Sequence, residues 1–367
     1  MTRPWSSTRS ARSNGRRTLF GECDRPPSAT APEACVQGLR QVVRAGGRRI
    51  RPVHVQALPE GKTIRHLRLP RVRRGRGARA AGEDVEGAKV RRLDERDIGA
   101  AIALTNLENW GYTRADFVRL LTLSPEGCFV VEAKGCIVGV LTTTTYDGLA
   151  FLGAVIVSPE LRGKGVGKQM MEAALDHLRS TGVRTVRLNA YLNAIPFYER
   201  LGFQREYEVV RWTGPTRTGR ARGVRPVRLD DLDGLARFDA TYFGANRRPL
   251  LDLLAEEVPS TFLVAESRGS IRGFLAGNPG GDTCEIGPWV VAPESGAVAG
   301  DLYRGLVAAA GTPDVAFSGP STNEALREFV RDQRFEEVFR ALRMRWGADE
   351  FAGDPRGIWA LGGLEKG

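Results

Sequence analysis

The sequence predicts an α/β protein: two copies of one α+β mixed-sheet fold behind a basic tail. Three observations carry that expectation. Composition changes near residue 87, from Arg, Gly, Pro, Ala and Ser to alternating apolar runs. The elements that follow read βααβββαβαβ, an order that combines hairpins with a crossover and so excludes an all-parallel sheet. A shift of 134 residues then aligns Gly135, Ile137, Gly139, Leu141, Gly153, Val157, Pro159 and Glu160 with Gly269, Ile271, Gly273, Leu275, Gly287, Val291, Pro293 and Glu294, eight identities in 26 positions. The expected organisation is a tail over 1–86, a first copy over 87–212, a linker over 213–223 and a second copy over 224–367.

Each element has a local reason. Val90 to Leu93 reads as a short strand, followed by a helix from about Glu95 to Leu104. Thr113 and Asp116 have capping-box spacing, opening a helix whose apolar face is Phe117, Leu120 and Leu121. Two hairpins follow, one turning at Lys134-Gly135 and one at Asp147-Gly148. The strand Phe151 to Val157 runs into a Gly-rich loop and a helix from Val166 to about Ser180. A strand from Val183 to Leu188, a short helix from Ile195 to Leu201 and a strand from Phe203 to Trp212 complete the copy. The openings of the two copies also match as Leu93-Asp94-Glu95-Arg96-Asp97 against Leu229-Asp230-Asp231-Leu232-Asp233.

Charge and composition exclude several classes. The 367-residue chain carries 54 Lys and Arg against 43 Asp and Glu, but residues 1–86 hold 19 basic and 7 acidic groups, leaving 35 and 36 for the rest. A nucleic-acid role is therefore confined to the basic tail, densest at Arg71 to Arg76, whose composition predicts disorder. Five cysteines without C-x-x-C spacing speak against a disulfide framework and a zinc site, and a reducing cytoplasm is expected. The three histidines, His54, His66 and His177, leave one in the body, so no metal site or His-based triad is expected there. No run approaches the roughly 18 apolar residues of a membrane span, and no membrane partner is expected.

One loop carries chemistry. Arg162-Gly163-Lys164-Gly165-Val166-Gly167-Lys168 follows a buried strand and opens a helix, where glycines let backbone amides approach an anion and the lysines add positive charge. Its spacing is not that of a Walker A loop, and hairpins before it exclude a dinucleotide fingerprint. The stretch from Val155 through Ser158-Pro159-Glu160-Leu161 to Gly167, followed by Asn193-Ala194-Ile195-Pro196-Phe197-Tyr198-Glu199-Arg200-Leu201-Gly202-Phe203, resembles the GCN5-related N-acetyltransferase (GNAT) family over about residues 88–212. The second copy is similar to the degenerate C-terminal domain of tandem members. The resemblance implies an acetyl-CoA-dependent N-acetyltransferase without a metal: pyrophosphate on the amides of Gly163 to Lys168, with Arg162 beside them, pantetheine along Val155, Ile156 and Val157, and Asn193 and Tyr198 near the thioester.

Transfer to an amine needs a neutral nucleophile and a proton for the leaving thiolate. Tyr198 is the candidate acid. The strand before the loop lacks a carboxylate, so Glu108 and Asp147 are the candidate bases. Trp110 and Tyr112, with Asn246 and Arg247 of the second copy, are candidates to bind an amine acceptor, a small molecule or a protein N-terminus. The missing base leaves a non-catalytic acyl-CoA sensor as the alternative. Opposite the loop the second copy reads Gly296 to Leu302 without a basic side chain, and Val330 stands opposite Tyr198, so that copy is not expected to bind CoA.

Overall fold

The computed structural model describes residues 87–367. The expected tail and its basic cluster lie outside the described residues. In the first half the order is β1 (Lys89–Arg92), α1 (Ile98–Thr105), α2 (Arg114–Leu123), β2 (Phe129–Ala133), β3 (Cys136–Tyr146), β4 (Leu149–Val157), α3 (Val166–Ser180), β5 (Thr185–Tyr191), α4 (Ile195–Arg200) and β6 (Gln204–Pro215). Thr113 and Asp116 form the capping box of α2, and Lys134 and Gly135 take the positive φ angles of a tight hairpin turn. The second half repeats the order with β7 (Val224–Pro226), α5 (Leu232–Phe243), α6 (Arg248–Glu257), β8 (Phe262–Ser267), β9 (Ser270–Gly280), β10 (Thr283–Val291), α7 (Gly296–Ala310), β11 (Asp314–Pro320), α8 (Glu324–Gln333) and β12 (Glu336–Gly347). A short extra strand, β13 (Ile358–Ala360), follows.

β3 and β4 coincide with β9 and β10 at the 134-residue shift, end for end. The same shift superposes an ion-pair cluster: Arg91 joins Asp97 at 2.7 Å and Glu132 at 2.9 Å, and Arg225 joins Asp231 at 2.6 Å and Glu266 at 2.7 Å. This corrects the register of the two openings, because Asp97 corresponds to Asp231 rather than Asp233. The corner is built from a guanidinium pinning the first turn to the next strand, so charge geometry sets the alignment where residue identity misleads.

The thirteen strands form one sheet in the order β1-β2-β3-β4-β5-β12-β6-β11-β10-β9-β8-β7, with β13 on β10. Each half gives its last long strand to the other. β12 lies antiparallel between β5 and β6, while β6 lies between β12 and β11. A palindromic order results, and it leaves the described residues in a single compact unit. β6 continues to Pro215, into the stretch expected as linker. One core crosses the seam, packing Tyr146, Leu149 and Phe151 with Phe243, Leu250 and Phe262. Phe243 meets Tyr146 edge-on at 5.4 Å and stacks on Phe151 at 5.7 Å.

Candidate active site

Two openings in the sheet occupy equivalent places in the two halves. In the first, β4 and β5 run parallel from Leu149 opposite Thr185 to Leu152 opposite Leu188, and their pairing ends there. Between Val140 and Thr142 the register of β3 on β4 shifts, and Ala154 takes a φ of 47°. This bulge turns β4 away from β5, so Val155 to Val157 keep β3 on one side only. In the second half β10 and β11 pair from Thr283 to Ile286 and part in the same way. That opening is filled: β13 pairs with β10 at Trp289 and Val290, Leu361 N donates to the Ser318 carbonyl at 2.8 Å, and the Trp289 and Trp359 rings sit 5.1 Å apart.

The Gly-rich loop closes the wide end of the first opening. Gly163 and Gly165 have φ of 77° and 86°, and beyond the adjoining residues no atom of the described residues lies within 4 Å of where a Cβ on either would stand. Side chains other than glycine are strained at such angles, so the sequence here keeps both the turn and the space above it. Gly165 immediately precedes α3, and the first bond of that helix runs from Gln169 N to the Gly165 carbonyl at 3.0 Å. The amides of the first turn therefore point outward without intrahelical acceptors. Lys164 and Lys168 are exposed beside them. Arg162, also exposed, folds back along the surface: its Nε donates to the Val157 carbonyl at 2.9 Å and its Nη2 to Glu108 at 2.7 Å.

In the second half this loop is absent rather than rewritten. The turn Pro293–Ser295 leads directly into α7 at Gly296. Val166 thus corresponds to Gly296, and Arg162 to Gly165 have no counterpart, which corrects the residue-for-residue alignment with Gly296 to Leu302. A groove of about 560 Å³ remains there, lined by Pro293, Asn323, Glu324, Glu328, Arg356 and Trp359. It carries two carboxylates and no glycine loop.

Tyr198 lies on α4, buried between Phe197 at 5.1 Å and Phe203 at 5.8 Å. Burial raises its pKa well above the ordinary phenol value, so it stays protonated at neutral pH. Phe197 approaches Gly167, where an added Cβ would stand 3.6 Å from its ring; the start of α3 and the Tyr198 helix therefore sit side by side. Asn193 is exposed in the turn before α4.

Trp110 and Tyr112 converge on the end of β5. Trp110 stands 6.4 Å from Tyr112 and 6.1 Å from Tyr191, and Tyr191 meets Phe339 edge-on at 5.4 Å. Phe339 belongs to β12, so the second half enters this wall through the exchanged strand. Burial, and then the Glu365 carboxylate, hold the Tyr112 phenol well above its usual pKa.

Three expected residues are placed elsewhere, and a fourth is already engaged. Arg247 is fully buried, bidentate to Asp239 at 2.6 and 2.8 Å, and stacked on Phe243 at 3.9 Å. It is a core ion pair and faces no acceptor space. Asn246 is exposed and accepts from Arg248 N at 3.0 Å, satisfying a free amide at the start of α6. Asp147 sits in the turn at the far end of β4, about 30 Å of strand from the loop at 3.3 Å per residue, where it accepts from Asn246 N at 3.4 Å. Glu108 is close to the loop, but its carboxylate is engaged by Arg162. Sequence reasoning missed Tyr191, Phe339 and Glu365, because nothing local in a strand records which strand will lie beside it.

With this geometry in place, the comparisons with known proteins fall into line. The Acetyltransferase (GNAT) family matches residues 100–203, and an Acetyltransferase (GNAT) domain matches residues 235–360. The chain belongs to the GCN5-related N-acetyltransferase family as a tandem member, and acyl transfer is the activity that membership defines. It is 27% identical over 267 residues to Holothin acyltransferase of a Pseudoalteromonas species, covering 71% of this chain and 88% of that protein. Mycothiol acetyltransferase of Thermobispora bispora is 34% identical over 153 residues, 36% of this chain and 50% of that protein. Among solved structures, a candidate acetyltransferase from Pyrococcus horikoshii superposes with a TM-score of 0.68 at 22% identity, covering 79% of this chain and 99% of its own. A tandem GNAT protein from the clavulanic acid biosynthesis pathway gives 0.50 at 15%, covering 71% and 98%. At these identities the structures establish the fold.

Proposed function

We propose that the chain transfers an acetyl group from acetyl-CoA to a primary amine of a small molecule or peptide, at the opening of the first half. The observation that carries this reading is the contrast between the two openings. The first keeps an unpaired strand edge and an uncovered glycine loop at a helix start; the second has lost the loop and filled its opening with β13. Acetyl-CoA fits the donors present. The amides of Gly163 to Lys168, apart from Lys164 N, which donates to the Leu161 carbonyl at 3.4 Å, would hold the pyrophosphate together with the Lys164 and Lys168 side chains, and the free edge of Val155 to Val157 would pair with the amides of the pantetheine. When bound, acetyl-CoA supplies the thioester.

The residues then divide the chemistry. Tyr198, kept protonated by burial, gives its proton to the departing thiolate. Asn193 stands at the turn beside it. Trp110 and Tyr112, with Tyr191 and Phe339, form the wall against which an acceptor lies, and exclude water from the amine as it attacks. Arg162 and Glu108 brace the loop against the end of β4 and α1. The test is release of CoA thiol from acetyl-CoA against a panel of amines, amino acids and peptide N-termini, with holothin included because one relative bears that name. Turnover of one acceptor class is expected; binding of acetyl-CoA without turnover of any would favour the sensor instead.

A further inference from the structure

Residues 358–367 run from the second opening, which β13 fills, to the narrow end of the first at Gly153, and leave the edge of Val155 to Val157 unpaired. Past β13, the Leu361 carbonyl stands 1.9 Å from where a Cβ on Gly287 would be, and four residues later the Cβ of Glu365 stands 1.9 Å from where a Cβ on Gly153 would be. Gly153 and Gly287 are repeat-related, so the two glycines admit the same segment at equivalent points. Asn189 Nδ2 donates to the Leu364 carbonyl at 2.7 Å, and Arg247 donates to the Gly367 carbonyl at 2.6 Å. Glu365 is thereby fixed from both sides, directly on the bulge of β4.

The Glu365 residue is 8% exposed. Its carboxylate accepts from the Lys366 ammonium and faces the Tyr112 hydroxyl. Tyr146 and Arg211 feel its charge at longer range, and Arg211 is itself committed to Glu285 through two bonds of 2.7 Å. Strand β4 offers no carboxylate over Phe151 to Val157. The second half thus brings to the first half's opening the group that the first half lacks.

We propose that Glu365 receives the ammonium of the acceptor and takes its proton, that Lys366 is the internal ammonium an acceptor displaces, and that the acceptor is a primary alkylamine carrying a flat ring. This rests on the acetyl-transfer reading above. A buried carboxylate is costly unless paired, and a primary ammonium is the partner Glu365 already has. The loop and the edge of Val155 to Val157 direct an acyl group down β4 toward Gly153, beneath Glu365. The ring lies against Tyr112, Trp110, Tyr191 and Phe339. In the reaction the ammonium gives one proton to Glu365. The freed lone pair forms the C–N bond as the C–S bond breaks, the thiolate leaves with the Tyr198 proton, and the second proton shed by nitrogen restores the phenol. Glu365 returns its proton to solvent, so the products are amide, CoA thiol and one proton.

The test compares 2-phenylethylamine, protonated at neutral pH, with hydroxylamine, which arrives neutral, as acceptors for the full chain with acetyl-CoA. Glu365→Gln is expected to lower kcat for 2-phenylethylamine by roughly 10²- to 10⁴-fold and raise its KM, with hydroxylamine turnover within about threefold of the parent. Acetyl-CoA affinity by calorimetry should be unchanged, and Glu365→Asp should recover part of the loss. Lys366→Gln should lower the KM for 2-phenylethylamine. Equal losses with both nucleophiles, no loss with either, or a higher KM in Lys366→Gln overturns the assignment. A parent chain that acetylates hydroxylamine but not 2-phenylethylamine overturns it as well. A parent chain that does not bind acetyl-CoA overturns the acetyl-transfer reading beneath it.

Discussion

Tyr198 is the residue on which the chemical reading turns. Held between two phenylalanines and raised in pKa by burial, it has the properties of a proton donor and lacks those of a base. Tyr198→Phe is expected to leave acetyl-CoA affinity intact and lower kcat roughly 10²- to 10⁴-fold; single-turnover rates that match the parent would reduce it to a packing residue. The loop and the Tyr198 helix were legible in the sequence because both are local, a run of glycines before a helix and an aromatic in a short motif. The acceptor side was not. Arg247 read as a polar group beside a turn glycine, yet Asp239, one helix earlier, draws it into the core. Asp147 and Glu108 read as free carboxylates until the strand direction of β4 and the reach of Arg162 were known.

At the scale of elements, the second copy keeps the frame of the first and departs from it at two places. Strands β3 and β4 kept their length in β9 and β10, and the Arg-Asp-Glu corner recurs intact. Four loop residues disappeared, and β13 took the opening. The corners make a pH prediction. The Arg225 hydrogen bonds hold Asp231 below the usual carboxylate range; in Asp97 burial pushes upward more than any other single effect, but the Arg91 bonds, the Asp94 amide and the charges of Arg91 and Arg96 together outweigh it and lower the pKa. Folded pKa values below the unfolded value of about 3.9 mean that both contributions are present above that pH and are lost as pH falls through the folded values. Melting temperature should therefore drop steeply below about pH 4, and Asp231→Asn should flatten the drop. An identical acid slope in the variant would show that the corner contributes nothing.

For the whole molecule, strand exchange decides what can be separated. The order of strands within each half follows from hairpin turns and the crossover, so the halves were visible in the sequence. The exchange was not, since nothing local in Gln204–Pro215 or Glu336–Gly347 marks which half's sheet will accept the strand. A chain limited to residues 87–223 would leave β5 without β12 and expose the face of Tyr146 and Phe151; no cooperative melting is expected of it, and a sharp transition at the parent temperature would contradict the exchange. The central claim is that one opening binds and the other is closed. Calorimetric titration of the full chain with acetyl-CoA tests this most directly. The account predicts one site per chain, lost in Gly165→Asp because a carboxylate at a φ of 86° would stand in the anion's place, whereas two sites, or one site that survives this substitution in a folded chain, would contradict it.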